Sequence, residues 1–213
     1  MTSLEQTGVK DVYAKIATHF SDTRFNQWPW ISEFIEEINN INSQSNVLDI
    51  GCGNGRNMDG FKEGTNVYGI DNCVEFIQIC QDKGKNAIQA DMACLPFADN
   101  YFNYLISIAS FHHLSTRERR IEVLKEIHRV AESGAIMLIS VWSLKQPPKT
   151  SQAKKITHYG DNLVKWNKLS EEFQRYYYIF KVDELTALFK ETGWGIQRHF
   201  WDYGNEVFVL KAL

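Results

Sequence analysis

Residues 48–55 read Leu-Asp-Ile-Gly-Cys-Gly-Asn-Gly and close the short apolar run that begins at Asn46. Glycines at alternate positions, Gly51, Gly53 and Gly55, let a chain turn sharply and bring its backbone close to a ligand, because glycine enters left-handed conformations freely. A turn of this kind at the end of a first strand predicts a nucleotide-like ligand. The dinucleotide fingerprint needs glycine at position 56, where Arg56 stands, and Asp49 precedes the turn. An acidic side chain there suits a ligand carrying positive charge better than a pyrophosphate.

The rest of the chain alternates in period. Phe34, Ile35, Ile38 and Ile41 have helical spacing, and the strand 46–50 follows. Further strands are predicted at 66–71, 86–91, 104–110 and 135–142, with helices at 73–84 and 116–131, the latter started by a Ser115–Glu118 capping box. Strands alternating with helices predict an α/β fold with a mostly parallel sheet covered by helices on both faces. A last helix from Val182 leads to two strands joined at Gly204-Asn205, so one edge is expected to be an antiparallel hairpin. The stretch 143–170 shows no clear period and reads as a long loop.

With 213 residues, one domain is expected. The four cysteines, Cys52, Cys73, Cys80 and Cys94, lack zinc-site spacing, so no metal is expected and the thiols read as reduced. No apolar run approaches the roughly 18 residues of a membrane span, and the first residues lack signal-peptide order; a soluble protein of cytoplasm or nucleus is expected. A net charge of −3 argues against indiscriminate nucleic-acid binding, yet Lys145, Lys149, Lys154, Lys155, Lys165, Lys168 and Arg175 make one segment basic.

S-adenosylmethionine matches the acidic glycine loop: it carries an ammonium, a sulfonium and no phosphate. Asp71 ends the second strand, where a carboxylate can accept both ribose hydroxyl hydrogens, and Asp91 ends the third, placed for the adenine edge. Asn72, Met92, Cys52 and Ile108 complete the expected cofactor set. Singly, a glycine loop is a turn and an aspartate a cap. Together they lie at successive strand ends on one sheet edge, where open α/β sheets bind ligands.

Through Asp-Ile-Gly-Cys-Gly-Asn-Gly, Gly-Ile-Asp, Ala-Asp and Leu-Pro-Phe-Ala-Asp-Asn-Tyr-Phe-Asn, the chain resembles the class I S-adenosylmethionine-dependent methyltransferases over about 46–142. The resemblance implies a Rossmann-like, seven-stranded domain. Ser115-Thr-Arg-Glu-Arg-Arg120 is similar to the eukaryotic tRNA wobble-uridine methyltransferases, which esterify the carboxylate of 5-carboxymethyluridine. So are residues 12–30, 141–146 and 174–185. Tyr178 and Lys165 stand where that family usually has histidine and proline. On this reading 1–45 form an N-terminal helical flap, 46–142 the cofactor core, 143–175 a basic substrate loop, and 176–213 the C-terminal helix and hairpin.

A carboxylate is already nucleophilic, so its esterification needs aim and dehydration more than a base. Arginine grips a carboxylate through two N–H groups and histidine can add a third donor. Arg24, His112 and Arg175 are therefore the expected acceptor-orienting residues. Trp28, His113, Arg117 and Trp142 are the expected substrate contacts, Trp28 and Trp30 lying in a flap over the cofactor with at least one of them also read as core, and Trp142 either stacking on a splayed base or serving plain packing. Arg117, Arg119 and Arg120 read equally as a solvated helix start. Two other readings stay open: a small-molecule methyltransferase using His112 as base, and a noncatalytic cofactor-binding subunit. The resemblance also implies a small zinc-binding activator in a 1:1 complex. Val74, Phe76, Ile77, Ile79 and Cys80 exceed what one helix face can bury, and strand 86–91 is the expected sheet edge.

Overall fold

Strand and helix follow one another as the periodicity requires. In chain order the elements are α1 (Ser3–Glu5), a π-turn (Gln6–Lys10), α2 (Asp11–Ser21), α3 (Pro29–Ile41), β1 (Asn46–Ile50), β2 (Asn66–Asp71), α4 (Val74–Asp82), β3 (Ala87–Gln89), β4 (Phe102–Ile108), α5 (Arg117–Val130), β5 (Ala131–Trp142), β6 (Gly160–Lys168), β7 (Glu171–Ile179), α6 (Val182–Glu191), β8 (Trp194–Asp202) and β9 (Asn205–Ala212). The computed structural model describes residues 1–41, 44–147, 155–168 and 171–213, so Lys149 and Lys154 of the basic segment lie outside the described residues.

Seven strands form one sheet in the order β3-β2-β1-β4-β5-β9-β8. The first five are parallel and β9 runs antiparallel to both β5 and β8. This is the expected fold class. Leu48, Ile50, Leu105, Met137 and Ile139 pack under α5 and α6, while Val47, Ile106, Ile108, Leu138 and Val207 pack under α3. Burial on both faces explains why these strands read as near-continuous apolar runs.

Four local expectations change. The stretch 143–170 is not all loop, since β6 and β7 pair antiparallel in a separate ribbon. Only the part up to α2 lies over the sheet edge; α3 is core, with Ile31, Phe34, Ile35 and Ile38 buried. The surplus apolar face of α4 is covered from within: Phe76 packs on Ala17 of α2, with Ile79, Tyr13 and Phe20 beside it, and Val74 stays exposed. The chain reverses at Tyr203-Gly204, both with positive φ (44° and 85°), and Asp202 pairs with Asn205.

The start of α5 also differs from a solvated helix start. Thr116 is the cap, its hydroxyl accepting from the Arg119 N–H, while Ser115 donates through backbone and hydroxyl to Glu5. Arg120 is 2% exposed, donates to the carbonyls of Leu114 and Ser115, and sits 3.4 Å over the Tyr178 ring. Arg120→Ala would orphan two carbonyls and empty a packed site, and is expected to destabilise by about 2–4 kcal/mol, read from urea midpoints.

Candidate functional site

The carboxyl ends of β1, β2 and β4 leave a cavity of about 1030 Å³, counting its open mouth. Gly51, Cys52 and Gly53 form one wall; Asp71, Asn72, Asp91 and Met92 form another; Ile108, Ala109, Ser110 and His113 close the side toward β4. From the N-terminal segment Glu5, Tyr13 and Phe20 reach over it. At Gly51, φ is +73° and an added Cβ would lie 2.5 Å from Ser110 Cβ, so the turn requires glycine. Ser110 is fixed in turn by donating to the Ile50 carbonyl at 2.9 Å.

Two carboxylates set the field. Asp71 Oδ2 accepts from the Gly53 N–H and Oδ1 from the Cys73 N–H, both at 2.9 Å, so it ties the loop to α4 while facing the cavity. Asp49 lies behind the loop, 1% exposed, and neither oxygen has a partner among the described residues. Burial and then the charge of Asp71 raise it to about 7, against the pull of Arg56 and Lys85. An unpartnered buried carboxylate beneath a cavity favours a cation and repels a phosphate, so these residues fit S-adenosylmethionine. Asp91 is engaged differently from the expectation: Arg119 Nη2 donates to both its oxygens at 2.8 and 2.9 Å. Burial would raise the Asp91 carboxyl, but the Ala93 N–H and Arg119 hold it low.

Beside this cavity lies a second, aromatic chamber. Arg175, 3% exposed, has its guanidinium 4.6 Å from the Trp166 ring, 5.2 Å from Tyr177 and 6.0 Å from Trp142. Half-buried Arg24 lies 5.6 Å over the same Trp166 and 5.2 Å over Phe20. Among the described residues no carboxylate pairs with either arginine, and the Arg24 side chain donates only to Thr23. Burial and then the neighbouring Arg175 lower the Arg24 pKa. Among the described residues, Arg175 Nε, Trp166 Nε1 and His112 Nε2 are buried and find no partner.

Tyr13 joins the two spaces. Burial keeps His113 neutral, down to about 3. Its Nδ1 contacts the Tyr176 carbonyl at 2.7 Å, so Nδ1 carries the proton and donates. Nε2 must then accept from the Tyr13 hydroxyl at 3.1 Å, and that oxygen accepts from Arg175 Nη1 at 3.3 Å. His112 is also neutral, pushed well below the usual range by burial; its Nδ1 accepts from the Trp142 N–H at 3.0 Å. The free Nε2 therefore bears hydrogen, which makes His112 a donor and disfavours the reading of it as a base.

The structure thus gathers Arg24, Arg175, His112 and Trp142 in the chamber. It does not gather all the predicted substrate contacts. Trp142 stacks on Tyr177 at 4.2 Å, so one indole face is already covered. Trp28 stacks on Trp30 at 5.7 Å with Arg56 over it, and Trp30 donates to Asp202 at 3.0 Å; both belong to the packing around α3 rather than to a flap over the cavity. Arg117 is exposed and paired with Glu191. Gly55, at φ +75°, sits against Lys85 and Cys80 rather than in the cavity. Tyr13, Phe20, Trp166 and Tyr177 went unpredicted; Tyr13, Ala17 and Phe20 share one face of α2, a stripe that reads as ordinary helix packing.

A family model described as "Methyltransferase domain" matches residues 48–139. A tRNA (carboxymethyluridine(34)-5-O)-methyltransferase of Schizosaccharomyces pombe is 35% identical over 94% of this chain and 94% of its own length. The chain belongs to that methyltransferase family. The similarly named protein of Arabidopsis thaliana is 37% identical over 80% of this chain, which spans only 38% of that relative's length. Among solved structures, a chain of the complex between the Haloferax volcanii methyltransferase activator Trm112 and a methyltransferase superposes with a TM-score of 0.64 at 15% identity, covering 96% of this chain and 98% of that one, a likeness of fold.

The charge of Asp49 makes a pH prediction. Its folded pKa of about 7 lies above the ordinary carboxylate value, so the unfolded chain releases its proton first as pH rises. This contribution to ligand-free stability is full below about pH 4, falls between about 4 and 7, and is flat above. Asp49→Asn is expected to remove that slope and to raise stability at pH 8 by roughly 2–4 kcal/mol, measured by denaturant titration across the range.

Proposed function

We propose that this chain transfers the methyl group of S-adenosylmethionine to the carboxylate of 5-carboxymethyluridine at the wobble position of tRNA. The observation that carries the reading is the pair of guanidiniums, Arg24 and Arg175, enclosed by aromatic rings beside the cofactor cavity with no carboxylate partner among the described residues. A buried guanidinium beside a half-buried one is costly unless an anion joins them. A substrate carboxylate supplies that anion, and the N–H groups of His112 and Trp166 lie in the same chamber.

When bound, S-adenosylmethionine would supply an electrophilic methyl group on a sulfonium, with a neutral thioether as the leaving group. The chain's own part is orientation. Arg24 and Arg175 hold the acceptor carboxylate, and Tyr13 with neutral His113 fixes Arg175 through hydrogen bonds. The aromatic walls exclude water, which strengthens the nucleophile. No base is required, because an ionised carboxylate gives a neutral ester without losing a proton. Asp71 would hold the ribose hydroxyls of bound S-adenosylmethionine, and Asp49 would offset its positive charge.

A small activator subunit, zinc-binding in the implied family, is the further partner of this proposal. Its support is the fold likeness to a protein of the activator complex and the position of β3 at the open edge of the sheet, beside exposed Val74. An unpaired edge strand accepts a strand from another chain.

Purified protein, alone and with such an activator, incubated with wobble-hypomodified tRNA and labelled cofactor tests the reading. Label is expected on carboxymethyluridine, as an ester cleaved by mild alkali; alkali-stable label or none counts against it. Arg175→Gln is expected to leave cofactor affinity within about twofold and lower turnover at least tenfold, through lost orientation. Turnover at the level of the unmodified protein would take the arginine pair out of the site. Asp71→Ala is expected to weaken cofactor binding by about 1–3 kcal/mol in calorimetry.

A further inference from the structure

Tyr203 combines two unfavourable features. Its φ of 44° is one that a bulky side chain rarely adopts, and the residue is 68% exposed at the tip of the β8–β9 hairpin. Asn or Gly would fit this turn without strain. Neither strain nor exposure serves the fold, and strain held in place at a surface points to a use.

The tip is held firmly. The Ser143 N–H donates to the Gly204 carbonyl at 2.8 Å, and the Gln146 side chain donates to the same carbonyl at 2.9 Å. These bonds tie Gly204, the residue after Tyr203, to Ser143, the residue after Trp142, which walls the arginine chamber. Trp201, two residues back, is also exposed; its indole N–H donates to the Lys145 carbonyl and the Lys145 ammonium lies 4.9 Å over its ring. The nearby acids are engaged, Asp202 with Trp30 and Glu206 with Ser143 and His199.

We propose that Tyr203, with the face of Trp201 that Lys145 leaves open, forms a stacking platform for the unpaired RNA bases flanking the nucleotide to be methylated, the Lys145 ammonium over the indole meeting their phosphates. The proposal rests on the tRNA reading above. Bases stack on exposed aromatic rings whatever their identity, and a cation beside the ring meets the backbone. A platform just outside the acceptor chamber holds the loop while one base is turned in.

The test separates this role from a structural one. Binding of a fluorescent anticodon stem-loop RNA is measured by anisotropy, cofactor binding by calorimetry, and thermal stability by calorimetric scan, for the full chain and for Tyr203→Gly, Tyr203→Asn and Tyr203→Trp. Tyr203→Gly and Tyr203→Asn are expected to relieve the turn and raise Tm by roughly 2–4 °C, yet to weaken RNA binding roughly five- to hundredfold, the loss of one stacked base. Cofactor affinity should stay unchanged, and Tyr203→Trp should keep RNA affinity. RNA affinity unchanged in Tyr203→Gly, or no RNA binding by the unmutated chain, overturns the platform. RNA bound through Tyr203 without ester formation leaves the platform standing and overturns the methyl-acceptor reading instead.

Discussion

Parallel pairing of β1 with β2 on one side and β4 on the other is the constraint on which the rest depends. In a parallel sheet every strand ends at the same edge, so the turns after β1, β2 and β4 converge there without any further instruction. Asp49, the glycine turn, Asp71 and the segment Ala109–His113 become neighbours through that geometry alone. The backbone around the edge is correspondingly unusual: Gly51 and Gly53 take positive φ, and so does Ala109, a non-glycine residue on the cavity wall. Strain of this kind persists where surrounding structure enforces it, and here Ser140 does so by accepting the Ala109 N–H through its carbonyl at 3.0 Å.

The site separates charge of opposite sign across a short distance. Acidic groups, Asp49 and Asp71, lie on the side of β1 and β2; the guanidiniums of Arg24 and Arg175 lie in the chamber walled by Trp142, Trp166 and Tyr177. On the proposed reading, this arrangement would sort a cationic methyl donor and an anionic acceptor to opposite sides before they meet. Tyr13 stands between, with its ring against Phe76 and Phe20 and its hydroxyl shared by His113, Tyr177 and Arg175. Because α2 and β7 both contribute to the chamber, the N-terminal segment and the β6–β7 ribbon are part of the site rather than additions to the fold. The same packing hides most of the apolar face of α4.

Much of this was legible in the sequence because period is a local property. The strands β1 and β2, the glycine turn and the edge aspartates followed from residues within a few positions of each other, and burial on both sheet faces left the apolar runs unmistakable. Arg24, His112 and Arg175 were readable by type, as donors suited to a carboxylate. Other features escaped because they depend on residues far apart in the chain. Arg120 reads as a surface charge, and only contact with Leu114, Ser115 and Tyr178 makes it a buried one. Trp28 reads as a substrate wall until Trp30 stacks on it.

What the sequence by itself determined is the chemistry available and the order of elements: a glycine turn with acidic neighbours, alternating strands and helices, and a family resemblance covering nearly the whole chain. Tertiary structure alone decided which charges are compensated. Asp91 is paired with Arg119 and Arg117 with Glu191, whereas Arg175 and Arg24 are left with aromatic rings for neighbours. It also decided that the segment after β5 folds into a ribbon against the N-terminal helix, and that Tyr203 stands strained at a turn. The physical reason is the same in each case: a side chain's type fixes what it can bond to, but burial and pairing are set by residues that only long-range packing brings within reach.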